Sequence, residues 1–127
     1  MSGLSARFFG SALVYAILGM VLGNVMGASG DHSQFPTHAH MMLIGWVSFA
    51  IFGFFYHLFA ERAATLLARV HFWLAQATYI VLVIALYLIF SGHPDVGEPI
   101  AGVASIGYLL SMVLFALVAL PVVRGAR

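Results

Sequence analysis

Six histidines stand in this 127-residue chain beside four acids, five arginines and no lysine. Imidazole is the commonest protein ligand for metals and for haem iron, so the placement of these six decides what chemistry the chain can do. His38 and His40 lie in the run Phe35-Pro36-Thr37-His38-Ala39-His40. It reads as the outer start of a helix, with Pro36 favouring a chain start and Thr37 or a nearby polar group available to cap it. Residues two apart on a helix point about 200° apart. Such a pair cannot bind one metal from one helix, which takes spacings of three or four. It can present one imidazole to each of two neighbours, or rest at the membrane interface bonded to water and head groups. The dipole at a helix start disfavours imidazolium and keeps both rings neutral and able to ligate. Met42 follows His38 by four residues and is a competing axial ligand. His57 lies roughly 25 Å along the same helix from His40, so it cannot share a site with the pair. A structural, interfacial role is expected for His57 and for His71. His32 and His93 fall in loops with Asp31, Asp95 and Glu98, a candidate copper or zinc site. There is no cysteine, which excludes disulfides, thiolate metal sites and cysteine nucleophiles.

The elements that must position these residues follow from composition. The chain is 63% hydrophobic and 7% charged, whereas a soluble domain carries about 25% charged residues. Four stretches, 8–26, 38–60, 70–90 and 100–123, approach or exceed the roughly 20 apolar residues that cross a bilayer, and none contains Asp, Glu, Lys or Arg. The first is longer than the core of a signal peptide and is read as a span. The fold expected is all-α, a single integral membrane four-helix bundle with turns at 27–37, 61–69 and 91–99. Arg7, Arg62, Arg69, Arg124 and Arg127 all fall at the termini or in the middle loop, while Asp31, Asp95 and Glu98 fall in the other two loops. The positive-inside rule then puts both termini in the cytoplasm and His38 and His40 at the outer face. In the first span Ser11, Tyr15, Gly19, Gly23 and Gly27 recur every fourth residue. Three glycines on one ridge invite close approach by another helix, in the same chain or in another subunit. Gly107 and Ser111 make a weaker version of the pattern.

The second span reads His38-Ala39-His40, then Phe49-Ala50-Ile51 with Gly53, then Phe55, His57 and Phe59. This resembles the tenth helix of subunit I of the haem–copper oxidases, with those residue types at the same offsets. The likeness covers 22 residues; the other three spans match in kind only. It implies that His38 and His40 are axial haem ligands, one for each of two haems, from opposite faces of one helix. The family's subunit I has twelve helices in three arcs of four, with ligand histidines on the second helix of an arc. By that resemblance this chain looks like one arc, and three copies in a ring would rebuild the plan.

The resemblance thus implies a haem b protein in the cell inner membrane, a homotrimer in which His38 of one subunit and His40 of the next clamp one haem near the periplasmic side. It implies an electron-transfer or haem-based redox role with an unidentified redox partner. The family's copper site needs three further histidines, two of them adjacent, and this chain has no adjacent pair. It also lacks intramembrane carboxylates or lysines for proton channels, and arginines at the outer side. The alternatives are an oxidoreductase with an open haem site acting on O2 or NO, a copper- or zinc-handling membrane protein, and a structural subunit without cofactor.

Overall fold

A backbone in hydrocarbon must satisfy its own N–H and C=O groups, and a helix does so within one segment. The computed structural model describes residues 1–125; Ala126 and Arg127, the last of the five arginines, lie outside the described residues. Among the described residues four helices are long and apolar enough to cross a membrane: α1 Gly3–Ser29, α2 Phe35–Leu58, α3 Leu66–Phe90 and α4 Pro94–Val123. A single turn, Ala60–Ala63, links α2 to α3, and no strand occurs among the described residues. Over the described residues the chain is all-helical, an architecture consistent with a multi-pass membrane protein.

The expected spans lie within these helices except at residues 59 and 60, and the turns are shorter than expected. The first contracts to residues 30–34, where Gly30 closes α1 in the left-handed conformation at φ 73°, which glycine adopts without steric cost. The last contracts to residues 91–93, because the Pro-, Asp- and Gly-bearing stretch expected as a turn opens α4 instead. Proline suits the first helical position, where its missing N–H would find no partner anyway, and Asp95 meets the positive end of the helix dipole. α4 runs 30 residues with Pro99 and Pro121 inside it, about 45 Å at 1.5 Å per residue. At the other surface Thr65 caps α3, its hydroxyl accepting from the Ala68 N–H at 3.2 Å.

α2 is not uniform. It is α-helical over Phe35–His40, π-helical over Met41–Ser48 and α-helical again over Phe49–Leu58. Thr37 does not cap it. The helix starts before Thr37, which is buried and donates to Gln34 Oε1 at 2.7 Å, while Gln34 donates to the Tyr87 carbonyl and to Ser91 Oγ. That relay ties the start of α2 to the end of α3, at the end of the bundle opposite the chain termini.

The helices pack as a chain of neighbours, α1 along α2 and α3 along α4. The core is aromatic: Phe8 meets Phe49, Phe52, Tyr56 and Phe72 at ring separations between 4.9 and 5.5 Å. Glycine sets the helix spacing where backbones approach. A Cβ at Gly97 would stand 2.6 Å from the Ala85 carbonyl oxygen, so α4 lies directly on α3 there. Gly97→Ala should therefore cost about 1–3 kcal/mol through overpacking. Gly102→Ala, where a Cβ meets nothing within 4 Å, should be neutral or slightly stabilising. Unfolding midpoints of the two variants in mixed micelles check the contrast.

Candidate functional site

The C-terminal half of α1 carries the glycine ridge, and the structure assigns its partner. A Cβ on Gly23 would lie 2.9 Å from His38 Cε1, and one on Gly19 would lie 2.7 Å from Met42 Sδ. His38 and Met42, four apart, thus fill the spaces that Gly23 and Gly19 leave open. The inner members of the same ladder do something else. Tyr15 Oη donates to Gln76 Oε1, and Gln76 Nε2 donates to Ser11 Oγ. Ser11 and Tyr15 therefore hold α3, while Gly19 and Gly23 admit α2. Gly27 meets nothing within 4 Å and stays open.

Close approach lets the His38 ring reach the backbone of α1. His38 Nδ1 lies 2.7 Å from the Gly19 carbonyl oxygen. His40 Nδ1 lies 2.7 Å from the Pro36 carbonyl oxygen, one turn back on its own helix. A carbonyl only accepts, so in each ring Nδ1 carries the proton. A neutral imidazole of that tautomer leaves Nε2 as a bare lone pair. Metal-ligating histidines commonly hold their second nitrogen in this way. Both rings are half-buried.

Beside His38 lies a groove of about 530 Å³, lined by Met20, Gly23, Asn24, Gly27 and Ala28 of α1 together with His38. Its size falls within the roughly 300–1,000 Å³ of small-molecule and cofactor sites. His40 is not among its walls. This groove therefore takes one imidazole of the pair. Asn24 donates its amide N–H to the Met20 carbonyl at 2.9 Å. Met42 packs its sulfur on Gly19.

The remaining histidines separate cleanly. His57 is exposed at the far end of α2, as expected. His71 is not interfacial: it is 0% exposed, because α3 begins at Leu66 and carries it more than a turn into the bundle. Phe8 stacks on it at 5.0 Å, Phe52 meets it edge to face at 4.7 Å and Phe115 lies at 5.3 Å. Its Nδ1 pairs with Tyr56 Oη at 2.9 Å, and its Nε2 has no partner. His32 and His93 are exposed. Among the described residues no three His, Asp or Glu side chains come together as a metal cluster. The Ser33 N–H bonds Asp31 Oδ1 at 3.0 Å and holds that carboxyl below its usual pKa, so Asp31 stays anionic at neutral pH.

Gln76, 9% exposed, is the functional-looking residue that sequence reasoning passed over. The signal was present: it is the one side-chain amide in the third span, and its two partners belong to the ladder already noted on α1. Compared with models of known protein families, with curated proteins and with solved structures, the chain has no match.

The Tyr56–His71 pair makes a stability prediction. Tyr56→Phe leaves a buried imidazole with neither nitrogen bonded and should cost about 1–3 kcal/mol. His57→Phe, one residue away but exposed, should stay within about 0.5 kcal/mol of the parent. Equal losses in an unfolding titration would mean that the pair contributes nothing.

Proposed function

We propose that the chain binds haem b through Nε2 of His38 and His40 and serves in membrane electron transfer. One observation carries the reading: both rings engage a backbone carbonyl through Nδ1–H and leave Nε2 free. Neutral imidazoles held this way need no reorientation to ligate iron. Two of them on one haem iron supply reversible one-electron transfer and leave no axial position for oxygen. The chain's own contribution is orientation. The Gly19 carbonyl fixes the His38 ring, the missing side chain at Gly23 gives that ring its room, and the groove beside it offers a partly polar wall.

That wall comes from α1 and His38 alone, and His40 leaves α2 on another face. In this reading a second copy supplies the opposite wall, with its His40 facing His38 of the first. Repeating a head-to-tail contact closes a ring. The likeness of α2 to the tenth helix of haem–copper oxidase subunit I favours three copies, each standing for one four-helix arc. The absence of an adjacent histidine pair argues against a copper centre of that family's kind, and so against reduction of O2 or NO. The arginine distribution supports an inner-membrane protein with both termini in the cytoplasm and the imidazole pair on the periplasmic side.

Protein purified from haem-replete cells should be red, with the sharp reduced bands of six-coordinate iron and about one haem per chain, the ratio a ring of shared sites requires. His38→Ala and His40→Ala should each lose or convert the spectrum, and His57→Ala should leave it unchanged. A preparation that stays colourless after haem addition sinks the proposal. Carbon monoxide binding to the reduced protein would instead favour an open site.

Orientation has its own check. The chain has no cysteine, so a single one introduced at Ser91 or at Ala64 reports its side of the membrane. In intact spheroplasts an impermeant maleimide should label the Ser91 variant and spare the Ala64 variant. The reverse pattern would put the imidazole pair on the cytoplasmic face.

A further inference from the structure

The π-helical segment Met41–Ser48 begins directly after His40. Its turns close i→i−5, one residue more than an α-turn. The Ser48 hydroxyl follows that reach, donating at 3.0 Å to the Leu43 carbonyl, five residues back. One residue amounts to about 100° of helical rotation. The segment therefore sets the angle between the inner part of α2, fixed in the aromatic core by Phe49, Phe52 and Tyr56, and the outer turn that carries His38 and His40.

At the middle of the segment is Gly45. A Cβ there would stand 2.6 Å from Tyr79 Cζ and 2.9 Å from Tyr15 Cβ. The Tyr79 phenol thus rests on the backbone of the π-turn, held from behind by the Tyr15 ring at a centroid separation of 4.4 Å. Tyr79 is 2% exposed and its hydroxyl has no hydrogen-bond partner. An unpaired phenol is costly in a hydrocarbon-buried core. A side chain pressed on a helix ladder is one of the recognised causes of local distortion, and the Tyr79 phenol lies against the π-turn at Gly45.

We propose that Tyr79 is a positioning residue for the imidazole pair. Its phenol, wedged at Gly45, holds α2 in the π-turn and so sets the direction in which His38 and His40 leave the helix. The functional consequence rests on the haem reading above; the geometric one does not. Without the wedge, the segment tightens towards α-geometry, and the outer turn rotates off the α1 glycine ridge. His38 then loses the Gly19 carbonyl that fixes its tautomer.

The nitrogen that carries the His38 proton allows a test that needs no haem and leaves Gly19 intact. In haem-free protein labelled with 15N-histidine, the His38 signals, assigned by their loss in His38→Ala, should show Nδ1 protonated and Nε2 bare, as the bond to the Gly19 carbonyl requires. Tyr79→Leu should cut the share of that tautomer at least twofold, while Tyr79→Phe, which keeps the ring, should leave it unchanged. In the haem-loaded protein, Tyr79→Leu should also broaden or convert the spectrum that Tyr79→Phe retains. A parent-like His38 tautomer in Tyr79→Leu overturns the proposal. So does a parent protein in which His38 carries its proton on Nε2. If Tyr79→Leu does not fold, Tyr79→Met keeps an apolar chain of similar length without the ring, and the same twofold criterion applies. A protein that stays colourless but whose His38 tautomer still depends on residue 79 defeats the haem reading and leaves the wedge standing.

Discussion

The hydrogen bond from His38 Nδ1 to the Gly19 carbonyl is the contact on which the half of the bundle beside the α1–α2 turn depends. It asks for two membrane helices at backbone distance, and so for no side chain at Gly19 or Gly23. Hydrocarbon supplies no hydrophobic drive between helices; close packing and polar contacts must replace it. Here both act at one place, since the ring that fills the space above Gly23 also bonds the carbonyl one turn below it. The bond then fixes the tautomer, and the tautomer decides which nitrogen is free. Chemistry at His38 is thus a consequence of helix spacing.

The two halves of the bundle answer different demands. The inner half is closed: Phe8, Phe49, Phe52, Tyr56, Phe72 and His71 interlock, and Tyr56 and His71 are tied as a polar pair across helices. Gln76 does the same one layer further out, joining α3 to α1 through Ser11 and Tyr15. In the other half, beside the α1–α2 turn, small residues of α1 leave a groove at Gly23, Gly27 and Ala28. A closed half at the chain termini permits an open one here, because the helices need not bury every face to stay together. α2 crosses the boundary between the two, and its π-turn lies at the crossing.

Much of this is legible in the sequence, and for identifiable reasons. The four spans follow from length and apolarity, which the bilayer thickness makes nearly decisive. The opposition of His38 and His40 follows from helical periodicity alone. The glycine ladder is legible as a packing surface but not in its partner, since spacing on one helix says nothing about which helix meets it. The same limit hides Gln76, whose meaning lies in Ser11 and Tyr15 on another helix. His71 reads as interfacial but is buried, because α3 starts four residues before its expected boundary, and a shift of one turn converts a surface ring into a core one. The turn expected at 91–99 shrinks because Pro94 and Asp95, read as breakers, are equally good helix starters. The π-turn leaves no mark in the sequence that periodicity could detect. What it packs against is a phenol from α3 at Gly45, and spacing along one helix does not reveal a contact with another.

On the haem reading, the two-residue spacing of the histidines carries a consequence beyond ligation. A pair at spacing four would let one chain complete a metal site, and association would add nothing to the chemistry. At spacing two, each ring faces away from the other, so a site that uses both is formed only between copies. The contact joins different surfaces of identical chains, and such contacts either close into rings or run on as filaments. Closure is then a condition of function, because a finite open chain of copies leaves one His38 and one His40 unpaired at its ends. The wall that α1 offers beside His38 is lined with Gly23, Gly27 and Ala28, residues too small to obstruct a second helix bringing its own imidazole. The same glycine ridge would then serve twice, within the chain at Gly19 and Gly23 and between chains at Gly27.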